Sequence, residues 1–101
     1  MFSRVLSVET VSKVGEEVTI KGWVNARRNM GKIVFFDVRD LAGIVQVVCV
    51  PSQMDTTSVE RMKDVRSEWV LEIKGTIQER GEKQKNLALP TGTVEILAKE
   101  L

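Results

Sequence analysis

Ile33-Val34-Phe35-Phe36-Asp37-Val38-Arg39, the turn Asp40-Leu41-Ala42-Gly43, and Ile44-Val45-Gln46-Val47-Val48-Cys49-Val50 read as two antiparallel strands around a short break. Side chains alternate across a strand with period two. The charged Asp37 and Arg39 are odd-numbered, so the odd side of the first strand faces water and Val34, Phe36 and Val38 face the core. Phe35 is thereby placed on the outer side among polar residues. In the second strand the single polar residue is Gln46, which turns even positions outward and makes Val45, Val47 and Cys49 the core set. A hairpin of these two strands puts Phe35 and Gln46 on one face, an aromatic platform near an amide that both donates and accepts.

Working outward, the run Glu17 to Arg28 also alternates, with Val18, Ile20 and Val24 on one side and Gly22 where a strand bends or bulges. Asn29-Met30-Gly31-Lys32 joins it to Ile33, giving three consecutive antiparallel strands. Before them, Val8, Val11 and Val14 are spaced by three, which predicts a short helical turn over Ser7 to Val14, ending at Gly15 and covering a barrel end. Pro51 stops the third strand. Asp55-Thr56-Thr57 then supplies capping oxygens for a helix over roughly Ser58 to Ser67, with Val59, Met62 and Val65 as its apolar stripe. Trp69 to Arg80 resumes alternation through Trp69, Leu71, Ile73 and Ile77, and Thr93 to Ala98 follows Pro90-Thr91-Gly92 as a fifth strand. Five strands with one helix between the third and fourth predict an all-β class: the OB-fold, a five-stranded Greek-key barrel whose second and third strands bind oligonucleotides.

A chain of 101 residues with 43% apolar content supports one domain, 1–101, around a modest core. Fifteen basic residues against fourteen acidic ones leave a net charge of +1, too little for a polyanion binder that works by charge alone. Cys49 is the sole cysteine and histidine is absent, which excludes an intramolecular disulfide, a multi-cysteine metal site and His-based acid–base catalysis. No leader-like start and no apolar run near 18 residues occurs, so the expectation is a cytoplasmic protein without a membrane partner. With no phosphate-binding Gly loop and no acidic cluster at metal spacing, an enzyme is the weakest reading, and no cofactor is expected in this domain.

The outward residues point to binding. An exposed ring stacks on a base, worth about 1–3 kcal/mol, and a Gln reads a Watson–Crick edge. Arg27 and Arg28 end the first strand beside the Gly31 turn, where guanidinium groups reach phosphates or base edges. Gln78, Arg80 and Glu95 alternate with Ile77, Val94 and Ile96 and so face outward, although pattern alone does not bring them to Phe35. Each residue has a bland alternative: Phe35 in a secondary cluster under a loop, Gln46 and Glu95 merely solvated, the Arg pair in a soluble turn. Trp23 and Trp69 are assigned to packing, and Cys49 to an inert core position.

Gly22-Trp23-Val24-Asn25-Ala26-Arg27-Arg28, Phe35-Phe36-Asp37-Val38-Arg39-Asp40, Gly43-Ile44-Val45-Gln46-Val47-Val48, Arg66-Ser67-Glu68, Lys74-Gly75-Thr76-Ile77 and Pro90-Thr91-Gly92-Thr93-Val94-Glu95-Ile96 together resemble the amino-terminal domain of bacterial-type aspartyl-tRNA synthetases over nearly the whole chain. The resemblance implies an anticodon-binding domain without chemistry of its own. It implies that Phe35 stacks on the central anticodon base, that Gln46 hydrogen-bonds that base, that Arg28 contacts the third base, and that Glu95 recognises the first. Arg80 and Asn86 match positions near the anticodon loop, and Asn29 with Met30 occupies the turn that separates aspartate-specific members from those also charging the asparagine tRNA. Ala26 and Gln78 stand where many members carry arginine. The implied parent is a homodimeric ligase whose catalytic domain, with its ATP and magnesium, lies outside this chain, while the domain alone is expected to be monomeric. Two other readings stay open: a general single-strand binder, marked by steep salt dependence, and a barrel used as a protein-interaction scaffold.

Overall fold

The computed structural model describes residues 3–66, 69–80 and 92–101. Its strands are β1 (Ser3–Arg4), β2 (Glu17–Met30), β3 (Ile33–Arg39), β4 (Ile44–Cys49), β5 (Val70–Glu79) and β6 (Val94–Glu100). One α-helix, α1 (Thr56–Asp64), lies between β4 and β5, which are the third and fourth barrel strands. The sheet runs β1-β2-β3-β4-β6-β5, and β5 pairs again with β2, so the five long strands close on themselves. This is the OB-type barrel expected from the strand and helix order. The two-residue β1, parallel to the start of β2, was not expected.

Closure depends on β2, whose first half pairs with β5 and whose second half pairs with β3, with Trp23 opposite both Val70 and Arg39. Gly22 sits at the changeover because a Cβ there would lie 2.3 Å from the Arg39 carbonyl oxygen. The extra residue falls slightly later. Val24 pairs with Val38 and Ala26 with Asp37, so Asn25 is bulged and the inward side of β2 switches from even to odd numbers.

The core is the set predicted by alternation, with Val18, Ile20, Val24, Phe36, Val38, Val45, Val47 and Cys49 fully buried together with Ile73 and Ile96. Burial pushes the Cys49 thiol up to about 12, against the weaker opposing charge of Arg27. Helix α1 is capped within the expected Asp55-Thr56-Thr57 segment, by Asp55, which accepts from the Ser58 N–H at 2.7 Å, but it begins two residues earlier than expected, at Thr56. It ends at Asp64, earlier than the sequence suggested, and Val65 is already extended but buried. Residues 67 and 68 lie outside the described set.

Two expectations about packing are corrected. Trp69 is 46% exposed, because it precedes the last β2–β5 pair at the barrel rim, where its backbone is held by the Val24 N–H, which donates to its carbonyl at 2.8 Å, and by the Arg66 carbonyl, which accepts from its N–H at 3.3 Å. The turn before β2 is a 3₁₀ helix, Ser7–Ser12, and it buries Ser7 and Thr10 while leaving Val11 and Val14 exposed. Asp40 explains this inversion: it accepts from the Ser7 N–H at 2.6 Å and the Ser7 hydroxyl at 2.7 Å. The same carboxylate accepts from the Ala42 and Gly43 N–H groups, so it ties the β3–β4 turn to the 3₁₀ helix.

Candidate nucleic-acid interface

The register of the barrel assembles one polar side chain from each of its five strands. Asp37 lies opposite Gln46, Arg28 opposite Phe35, and Gln78 opposite Glu95. The parallel β4–β6 pairing, Val47 with Ile96, then sets Gln46 beside Glu95. The result is a continuous hydrogen-bonded chain. Arg28 donates to Asp37 through both terminal nitrogens, at 2.9 and 3.3 Å, and to the Gln46 amide oxygen at 2.9 Å. The Gln46 amide nitrogen donates to Glu95 Oε1 at 2.9 Å, and Gln78 Nε2 donates to Glu95 Oε2 at 2.7 Å.

Phe35 is half-buried beside this chain, with the Arg28 guanidinium 5.9 Å from its ring centroid. Arg28, Met30, Phe35 and Gln46 enclose an open cleft of about 260 Å³. Its lining combines a ring, an amide and a guanidinium with the exposed Met30 side chain. A planar heterocycle stacked on Phe35 would meet the Gln46 amide edge on, the arrangement by which single-stranded bases are read.

Gln46 and Glu95 face the outer side, as alternation required, but neither is solvated: each is only 7% exposed. The chain itself covers them. A buried carboxylate needs its oxygens satisfied, and here one amide serves each oxygen of Glu95. Positive and negative groups alternate along the chain, so the face offers hydrogen-bonding edges and little net attraction for phosphate.

The remaining candidates divide. Arg27 is not on this face. Past the bulge it points inward beside Phe36, 5.6 Å from that ring, and donates to the carbonyls of Met62 and Val65 at the end of α1, at 2.8 and 2.6 Å. Asn29 is exposed and accepts from Arg27 Nε at 3.0 Å. Arg80 is buried, its Nε donating to the Val94 carbonyl at 2.9 Å. Burial pushes its guanidinium below the ordinary value, with the charges of Glu95 and Asp37 acting in the opposite direction. Asn86 lies outside the described residues. Sequence reasoning put Asp37 and Gln78 on the wet side without giving either a role. Their pairing with opposite residues on neighbouring strands is the signal, and it becomes visible only with the register. Among the described residues no group of three or more acids or cysteines converges as a cation site, and no helix is long and apolar enough to cross a membrane.

A family model described as an OB-fold nucleic acid binding domain, of the tRNA anti-codon type, matches residues 18–101, and the chain belongs to that family. It is 44% identical over 88 residues to an aspartate–tRNA ligase of Streptococcus thermophilus, covering 87% of this chain and 15% of that protein. It is 42% identical over 92 residues to an aspartate–tRNA(Asp/Asn) ligase of Persephonella marina, covering 91% of this chain and again 15% of the relative. Among solved structures, asparaginyl-tRNA synthetase from Pyrococcus horikoshii superposes with a TM-score of 0.80 at 25% identity, over 99% of this chain and 22% of that one. The chain thus spans about 15% of the length of the curated relatives it matches.

Proposed function

We propose that this chain is the anticodon-recognition domain of an aspartate–tRNA ligase and that the Phe35 cleft reads the central anticodon base. The observation that carries the reading is the half-buried Phe35 ring next to a Gln46 amide whose two ends are already held by Arg28 and Glu95. A pre-set amide loses little freedom on binding, so its edge contacts go into discrimination. Arg28 is placed to reach the next base on one side. Glu95 on the other side, whose two carboxylate oxygens each accept one amide donor from the barrel, is assigned to accept from a guanine edge. Asn29, Arg80 and Asn86 are assigned to the periphery of the bound loop, and Arg27 to support beneath it.

On this reading the domain uses no cofactor. The names of the relatives and their greater length support a longer ligase; on this reading it is dimeric and cytoplasmic, and ATP and magnesium serve its catalytic part. Relatives named for aspartate tRNA alone and for both aspartate and asparagine tRNAs match at similar identity, and Met30 in place of a histidine favours the aspartate-specific kind.

The test is a titration of the chain with anticodon stem-loops. The aspartate loop, GUC, and the asparagine loop, GUU, differ only at the third base and isolate Arg28. A GCC loop changes the central base and isolates Phe35 with Gln46. Binding to GUC at least about tenfold tighter than to GCC is expected, a difference of about 1.4 kcal/mol. Equal affinity for the two would overturn the proposal, and strong binding to homopolymers with a steep salt slope would favour the general single-strand binder.

A further inference from the structure

The five-residue chain holds the Gln46 amide in one orientation. Its oxygen faces the Arg28 guanidinium and its nitrogen faces the Glu95 carboxylate, at 2.9 Å each. A flip of the amide would set the oxygen against the carboxylate and the nitrogen against the guanidinium, replacing two charge-assisted hydrogen bonds by two repulsive contacts. The two charged partners are themselves anchored from behind. Asp37 grips Arg28 with both carboxylate oxygens, and Gln78 donates to the far oxygen of Glu95 at 2.7 Å. Neither Asp37 nor Gln78 lines the cleft beside Phe35.

We infer that Asp37 and Gln78 are specificity-determining positioning residues, which lock the donor–acceptor order of Gln46 and thereby reject cytosine at the central base. The inference rests on the reading of this cleft as the central-base site. Read at position 4 and N3, uracil offers an acceptor and then a donor, which take the amide nitrogen and the amide oxygen respectively; cytosine offers a donor and then an acceptor at the same two positions and needs the reverse order. An amide free to flip accommodates both bases; a locked amide penalises the one whose order is reversed.

The lock makes an unusual prediction, because loosening it raises affinity for the wrong base. Asp37→Asn leaves a single acceptor oxygen and no charge for Arg28, and Gln78→Met keeps length while removing the donor to Glu95. Each variant of the 101-residue chain is titrated with GUC and GCC stem-loops alongside wild type and Phe35→Ala. Both lock variants are expected to keep GUC affinity within about threefold and to bind GCC about tenfold more tightly than wild type does. Phe35→Ala is expected to weaken both loops together. Independently of RNA, the side-chain NH₂ protons of Gln46 in wild type are expected as two separate NMR signals, one shifted downfield by the Glu95 carboxylate, with that separation reduced in both variants. If wild type prefers GUC but the two variants retain the same preference, the lock is overturned and the central-base reading stands. If wild type shows no preference, the reading falls and takes the lock with it. Two variants at opposite ends of the chain guard against either one failing to fold.

Discussion

Arg27 and Arg28 are consecutive, yet their guanidinium groups leave opposite faces of the same strand. Arg28 lies over Phe35 on the outer face and binds Asp37 and Gln46, whereas Arg27 lies beside buried Phe36 and binds two carbonyls of α1. The bulge at Asn25 decides which of the two goes where. Without it, the even parity that buries Val18, Ile20 and Val24 would carry Arg28 inward and Arg27 outward.

Arg27 is therefore expected to matter for stability first. Arg27→Ala removes the hydrogen bonds to Met62 and Val65 and the stacking on Phe36, and should destabilise the fold by about 2 kcal/mol in urea unfolding. The ratio of affinities for central-base variants should not change. A large loss of RNA affinity with unaltered unfolding would contradict the placement.

Phe35 behaves in the opposite way. It is half-buried on the outer face, so Phe35→Ala should leave unfolding nearly unchanged while weakening stem-loop binding by about 1–3 kcal/mol, the worth of one base stacked on an aromatic ring. Phe35→Trp should retain most of the affinity. Loss of stability parallel to the loss of binding would show that the ring is packing rather than platform.

Gly22 and Gly75 allow two close strand crossings. A Cβ at Gly75 would lie 2.4 Å from the Leu97 carbonyl oxygen, and one at Gly22 would lie 2.3 Å from that of Arg39. These neighbours are backbone and move only with their strands. Each Gly→Ala variant is expected to lose at least about 1–3 kcal/mol, in the range of overpacked cores, measured by thermal or urea unfolding.

Asp40 gives the fold an acid-sensitive tie. Burial pushes its carboxyl upward, but hydrogen bonds from the Ser7 hydroxyl and from the Ser7, Ala42 and Gly43 N–H groups outweigh it and hold the pKa below the ordinary 3.8. Because the folded value is the lower one, the stabilisation is fully present above the unfolded value and disappears as pH falls through the folded one. Stability should thus decline below about pH 5, and Asp40→Asn should be less stable at neutral pH with a flatter acid limb. An acid limb unchanged by the substitution would contradict this.

Cys49 is fully buried and its thiol is raised to about 12, so the native chain carries almost no thiolate at pH 8. Alkylation by iodoacetamide should proceed only through unfolding and should accelerate with urea in step with the unfolded fraction. Rapid labelling of the folded chain would overturn its burial.

The strand faces, the hairpin turns, the helix cap at Asp55 and most of the core were legible in the sequence, because alternation and capping are local properties of consecutive residues. From them alone Phe35 and Gln46 fall on one face of one hairpin. Motifs such as Gly22-Trp23-Val24 with its following arginines, and Gly43-Ile44-Val45-Gln46, added the family resemblance. Local reasoning failed where a side chain's surroundings come from distant segments. Gln46 and Glu95 are 49 positions apart and meet only because β4 and β6 pair in parallel, and each oxygen of the buried Glu95 accepts from an amide of a neighbouring strand, Gln46 or Gln78. The Asn25 bulge likewise carries no mark in a parity count, and it exchanged the places of the two arginines. Sequence alone determined which side chains share a face along each unbroken strand, since side-chain direction follows from backbone period. Only barrel closure decided which outward residues touch, since that depends on register between strands far apart in the sequence.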